Sequence, residues 1–381
     1  MSTSTAAGQK VPETIYQGPG MTVPPTQESA DTNGISALAR TLLHGGPISK
    51  KMANKTLIKA ICLTQNDRLL SRFRDELQKE FEHLYTHPPT NAGEEVVWRG
   101  FLGNLLAILP YTYPKTSDTI YIPILENQRV TLVNYSIEVI DLEFHPHSSK
   151  MTALALTAVD GANAPPLLSF IGTTYPGGKG FLSTVLADFT PGHDVGEKVY
   201  KTNLQTMQQW FEGKTNVHAF GTSLGGAMAM HAYRHHADQL ASVNVFNPPG
   251  IKLRHWQNHA NTYPNPNCAL NIYMQPKDLV TCVGFWPTTK NVSIYFAKSD
   301  QKGFIHNILL GHASAFTGRE KIAITKLDPN ILNKSKFRRF LTWTHRRFGP
   351  IFIWYPIMGF IALRNLVRKQ RARKTSVPNI V

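Results

Sequence analysis

The chain has 381 residues, 42% of them apolar, and a net charge of +15. That length and apolar content allow one large domain with extensions and exclude a small stapled scaffold. The three cysteines, Cys62, Cys268 and Cys282, are far apart and form no CxxC pair, which excludes a disulfide framework or a zinc ribbon and points to free thiols.

Residues 1–34 are rich in Ser, Thr, Gly and Pro and read as a flexible leader. No cationic start followed by an apolar run is visible there, so no cleavable secretory signal is expected. A cytoplasmic location and export by a signal-less route both stay open. Residues 35–115 read as a helical N-terminal extension. Its clearest stretch places Leu69, Phe73, Leu77, Phe81 and Leu84 at spacings of three and four among charges, the mark of an amphipathic helix. The following WRGFLGNLLAILPYTYP is apolar but stops at Pro110, too short for a span and suited to a buried helix.

From residue 116 to 328 the texture is that of an α/β domain. TIYIPIL, RVTLVNYSIEVIDLEF and MTALALTAV come first as β-rich runs, followed by PPLLSFIG, NVHAFG, ASVNVFN, CALNIYM and NVSIYFA with helical stretches between them. Early strands without helices, then alternation, predict a mixed, mostly parallel central sheet. One helix is expected over DVGEKVYKTNLQTMQQWFE, with Leu204, Met207 and Phe211 on one face.

Within this domain, Gly221 to Gly225 read G-T-S-L-G. The pentapeptide alone is a weak signal, but a strand-like VHAF precedes it and a helix-like GAMAMHAY follows. A serine between strand and helix fits the nucleophile elbow of an α/β-hydrolase fold. The turn strains the serine backbone and brings the positions two before and two after it together, which glycine at 221 and 225 permits. Ser223 is then the candidate nucleophile, and the amide of Leu224, at a helix N-terminus, a candidate oxyanion donor.

With its neighbours, this element resembles the elbow of the class 3 (fungal-type) lipase family, GHSLGGALA, where this chain has GTSLGGAMA. That family also carries a strand ending in FRGT, for which LLSFIGTTYP is the counterpart. The resemblance implies Thr173 as the second oxyanion donor, its hydroxyl adding a hydrogen bond. Ile171 stands where the family has arginine. A His-Gly element before a helix has a loose counterpart in PGHDVGEKVY, with His193 and Gly196. The resemblance extends over about residues 167 to 312.

A serine nucleophile needs a base, and the base an orienting acid, in the chain order Ser, Asp, His. CALNIYMQPKDLV resembles the family's strand and acid-bearing loop and points to Asp278, with Asp300 as the alternative. GFIHNILLGHASAFTG offers two bases. His312, flanked by small residues, is favoured over His306. His231 and His235 are spaced i, i+4 but lack the HExxH glutamate, so no metal site is expected, and acyl transfer to water needs no cofactor.

Residues 329–381 form a basic, hydrophobic tail. Twelve Lys or Arg and no acid fall there, which leaves 15 − 12 = +3 for the rest of the chain. Sixteen uncharged residues, FGPIFIWYPIMGFIAL, lie between Arg347 and Arg364, short for a span at 1.5 Å per residue. The expectation is a membrane-associating tail that meets an anionic surface; a short span or packing onto the domain are the alternatives. No nucleic-acid recognition module is visible. The combined expectation is a lipid-ester hydrolase working at a membrane surface. A catalytically silent hydrolase fold used for membrane-bound binding or scaffolding is the rival, and nothing in the sequence sets the oligomeric state.

Overall fold

The structure, a computed structural model, describes residues 14–16, 67–144, 150–159, 163–174, 180–256, 267–275, 278–299, 322–360, 362–363 and 367. Two helices lead in: α1 (Asp67–Thr86) and α2 (Ala92–Ile108). A meander follows, of β2 (Thr119–Glu126), β3 (Arg129–Leu142) and β4 (Met151–Ala158). Beyond it come β5 (Leu167–Phe170), helices α3 (Phe181–Asp188), α4 (Glu197–Thr202) and α5 (Leu204–Phe211), and β6 (Val217–Thr222). Helix α6 (Leu224–His235), β7 (Leu240–Phe246), β8 (Ala269–Met274), β9 (Val292–Ser299) and β10 (Ile322–Leu327) complete the sheet, with a short N-terminal strand β1 (Thr14–Tyr16) beside β10.

The ten described strands make one sheet in the order β1-β10-β9-β8-β7-β6-β5-β4-β3-β2. Only β5 to β9 run parallel, while every other neighbour pair is antiparallel. The expectation of a mostly parallel sheet is therefore corrected: the sheet is mixed, with its parallel strands at the centre. Part of the reason is local. Asn127 and Gln128 both adopt positive φ, 48° and 64°, and their two-residue turn closes an antiparallel hairpin without the glycine that usually announces one. A second difference is β1, which lies inside the span read as a flexible leader and adds three residues to the β10 edge.

Period-2 alternation sends neighbouring residues of the central strands to opposite faces. Leu168, Ala219, Val245 and Ile272 face α3 to α6 in one hydrophobic cluster. Leu167, Phe220, Phe246 and Tyr273 face α1 and α2 in the other. The predicted amphipathic stripe of α1 is buried along Leu70, Phe73, Leu77, Phe81 and Leu84; the side chain of Leu69 lies outside the described ones. Trp98 Nε1 in α2 donates to the Leu84 carbonyl (3.1 Å), and Ser169 Oγ in β5 donates to the Leu106 carbonyl (2.7 Å). The two described helices of the span read as an extension thus pack on one face of the sheet.

The single helix expected after Asp194 is broken into α4 and α5 at Asn203. Its side chain exchanges hydrogen bonds with the Glu143 backbone, accepting from N–H (2.8 Å) and donating to the carbonyl (2.6 Å), and so competes with helix propagation. Cys268 and Cys282 are free thiols, and burial pushes Cys268 up to about 12; Cys62 lies outside the described residues.

The chain then turns into helices α7 (Pro329–Lys334) and α8 (Lys336–Gly349), a π-helical turn (Pro350–Trp354) and helix over 355–360. This part of the tail packs onto the domain by one face. Arg338 and Thr342 are buried, and Trp354, Ile357 and Met358 rest on the α6-side cluster. No helix among the described residues is long and apolar enough to cross a membrane.

Candidate active site

Ser223 sits where β6 ends and α6 begins, with φ 55° and ψ −124°. For a residue with a Cβ this is a strained backbone, and hydrogen bonding holds it. The Ser223 amide donates to the Phe246 carbonyl at the end of β7 (2.9 Å), and its carbonyl accepts from the Ala227 amide in the first turn of α6 (3.1 Å). The glycines around it are required by close approach. A Cβ on Gly221 would overlap the Gly225 carbonyl and come 2.7 Å from the Gly226 nitrogen. One on Gly225 would overlap the Phe170 carbonyl oxygen and sit 2.9 Å from that of Ile171. The sharp turn and the tight seating of α6 against β5 therefore depend on the spacing that singled out this element. Leu224, the first residue of α6, is buried.

Thr173 lies just past the end of β5, next to β6. A Cβ on its neighbour Gly172 would come within 2.6 Å of the Thr222 carbonyl oxygen, so the Gly172–Thr173 segment touches the strand end that delivers Ser223. The Thr173 hydroxyl donates to Asp188 Oδ2 at 2.7 Å. The hydroxyl expected to add a hydrogen bond to an oxyanion is thus engaged by a carboxylate, and the backbone amide is the other donor on Thr173. Tyr111 Oη, from the short 3-10 turn after α2, donates to the Thr173 carbonyl (3.4 Å), so the α1–α2 layer reaches the site edge.

Asp278 follows β8 and is buried. Its Oδ1 accepts from the Val280 amide (2.9 Å), and its carbonyl accepts from Thr281 Oγ1 (2.8 Å). The parallel register of β5 to β9 places Thr173, Ser223 and Asp278 all after the carboxyl ends of strands in one row, the edge at which open α/β sheets hold their sites. His312, His306 and Asp300 lie outside the described residues. The ends of the connection that carries them are fixed: Ser299 of β9 pairs with Ile322 of β10, and β9 is parallel to β8. Both ends therefore open at that same edge.

The tail braces the Asp278 loop. Arg338 donates to the Thr281 carbonyl and lies 5.4 Å from the Trp286 ring centre; Thr342 Oγ1 accepts from the Gly284 amide (2.8 Å); and the Asn333 amide bonds both backbone groups of Trp286. Burial lowers the Arg338 pKa.

The sequence reading missed a buried charged cluster beside α6. Asp194 accepts from the Lys252 amide (2.7 Å) and Arg346 (3.1 Å), and lies 3.0 Å from His255 Nδ1. Glu197 accepts from the Asp194 amide (2.9 Å) and Lys201 (2.7 Å). These bonds and nearby cations hold both carboxyls low against the opposing cost of burial, Glu197 at about 2. Asp194, Glu197 and His255 are spaced to hold a metal ion, yet Lys252, Lys201 and Arg346 already supply the positive charge such an ion would bring. These contacts tie the segment before α4 to α8. Gly196 in this segment, at φ 73°, lies against the side chains of Leu224 and Met228. His193, matched to the family's His-Gly element, is 3.7 Å from Glu197. His231 is buried, its Nε2 bonded to the Val195 carbonyl (3.0 Å), and burial lowers it to about 4.

No family model and no curated protein sequence matches this chain. Among solved structures it is similar to a triacylglycerol lipase from Penicillium expansum, with 13% identity over 50% of this chain and 72% of that one and a TM-score of 0.29, a likeness too slight to carry an argument.

Proposed function

We propose that the protein is a serine carboxylic ester hydrolase of the α/β-hydrolase type that cleaves lipid esters through an acyl-enzyme. The observation that carries this reading is the Ser223 backbone: a serine held at φ 55°, ψ −124° between a central parallel strand and a helix N-terminus, flanked by glycines that nothing larger can replace. A strained serine at that edge is what presentation of Oγ to a substrate requires.

In the proposed reaction Ser223 Oγ attacks the ester carbonyl while His312, or His306 in its place, takes the hydroxyl proton. Asp278 holds the imidazole, and the amides of Leu224 and Thr173 donate to the tetrahedral oxyanion. The histidine then protonates the departing alcohol, and water attacks the acyl-enzyme by the same route to release acid and free serine. A lipid ester is favoured as substrate by the motif resemblance in the elbow. Asp188, a carboxylate bonded to Thr173, is the feature that favours the silent alternative, since negative charge beside an oxyanion opposes its formation.

A chain-length series of p-nitrophenyl esters, run on the native protein and on His312→Ala and His306→Ala, tests the reading. Turnover that rises with acyl length and is lost in one histidine variant supports it. No turnover of any ester by folded protein overturns it.

A further inference from the structure

We propose that the outward face of the C-terminal helical segment is a docking surface for an anionic lipid bilayer, which it meets lying flat in the headgroup region. Within α8 the usual helix pattern is inverted. The segment's inward face is seated on the domain by Arg338, Thr342 and Pro350 and, further along, by Trp354, Ile357 and Met358. Its outward face carries Phe337, Phe340, Trp343, Phe352, Tyr355 and Phe360, each between 55% and 72% exposed. The rings touch along the strip: Phe340 on Trp343 at 6.4 Å, Trp343 edge-on to Phe348 at 5.5 Å, and Phe348 on Phe352 at 6.2 Å. Contiguous exposed aromatic surface of this kind marks an interaction site.

Charge names the occupant. Lys336, Arg339 and Arg347 are exposed beside the rings, and no acidic residue follows Asp328 in the chain. A second copy docked strip to strip would set like charges against each other across a symmetric contact. A phosphate-rich surface pairs with the cations and takes up the rings, the composition of an interfacial helix. No helix among the described residues is long and apolar enough to cross a membrane, and α8 carries Lys336, Arg338, Arg339, Arg346 and Arg347 within its fourteen residues, a charge density that suits a surface and not a span. Because the inward face also braces the Asp278 loop and, through Arg346, the Asp194 cluster, the strip is fixed relative to the Ser223 edge. The surface stands independently of the Ser223 chemistry.

Truncating the tail would strip the buried face with the exposed one, so surface substitutions are the cleaner test. Full-length protein is floated with phosphatidylcholine vesicles and with vesicles that also contain phosphatidylserine, beside Phe340→Ser/Phe352→Ser and Lys336→Gln/Arg339→Gln/Arg347→Gln. The native chain is expected to float with the anionic vesicles only and to be released by high salt. Each variant is expected to partition at least tenfold less, with unchanged thermal unfolding. Brominated lipid should quench native fluorescence, and Trp343→Phe should remove most of that quenching, a readout that needs neither multiple variant. Ser223→Ala should float like the native chain, so loss of hydrolysis leaves the result intact. Absence of native flotation, binding by both variants at the native level, or quenching unchanged in Trp343→Phe overturns the proposal; dimerisation in solution without flotation would assign the strip to a second copy.

Discussion

Ser223→Gly is expected to be more stable than Ser223→Ala, an order opposite to that at most positions. At φ 55° and ψ −124° a residue with a Cβ carries strain on the order of 1–3 kcal/mol. Alanine retains the Cβ and therefore the strain, and both variants lack the hydroxyl, so its hydrogen bonding cancels in the comparison. Glycine removes the strain but adds roughly 0.5–1 kcal/mol of unfolded-state backbone entropy. The difference leaves Ser223→Gly ahead by about 1 kcal/mol. With a urea m-value of about 3 kcal/mol/M this moves the midpoint upward by about 0.3 M at constant m. Equal midpoints, or alanine above glycine, would refute the claim that this position stores backbone strain.

The other predictions concern the surroundings of that serine. Gly225→Ala forces a methyl group into the Phe170–Ile171 backbone, at an expected cost of about 1–3 kcal/mol or more, and should weaken probe labelling by parting the elbow from the Thr173 segment. Gly213→Ala is the control: nothing lies within 4 Å of its added Cβ, so only the strain of φ +70° should appear, without loss of labelling. Thr342→Val leaves the buried Gly284 amide without its acceptor, with an expected destabilisation of about 1–3 kcal/mol and a fall in kcat larger than any rise in KM. Stability should also fall as pH drops from 6.5 toward 4. Burial lowers His218, His231 and His345 to about 4 in the folded chain, so between that value and the ordinary 6.5 the unfolded state binds protons the folded state does not. A urea midpoint that is flat or rises on acidification through that window would contradict it.

What was legible in the sequence follows from the range of each interaction. Strand alternation is local, and so the eight runs from TIYIPIL to NVSIYFA become β2 to β9. The elbow is legible because Gly221 is required by Gly225, four residues on, whereas the seating of Gly225 on Phe170, 55 positions back, is not a local signal. The Asp194 cluster was invisible because its partners, Lys252 and Arg346, lie 58 and 152 positions on. The tail deceived in a more instructive way. In α8 the polar Arg338 and Thr342 are buried by specific backbone partners, while Phe337, Phe340 and Trp343 are exposed, so hydropathy alone assigns the faces of that helix in reverse. Strand β1 went unread because three residues are too few to show alternation, and β10 because its six-residue run takes a lysine at position 326.

The central claim is that Ser223 is a nucleophile, and covalent labelling tests it most directly. Native full-length protein and Ser223→Ala are each treated with a fluorophosphonate, and the modified peptide is mapped by mass spectrometry. The account predicts a single adduct on Ser223 in the native chain and none in the variant. Folded native protein that takes no label, or labels equally when residue 223 is alanine, would contradict it.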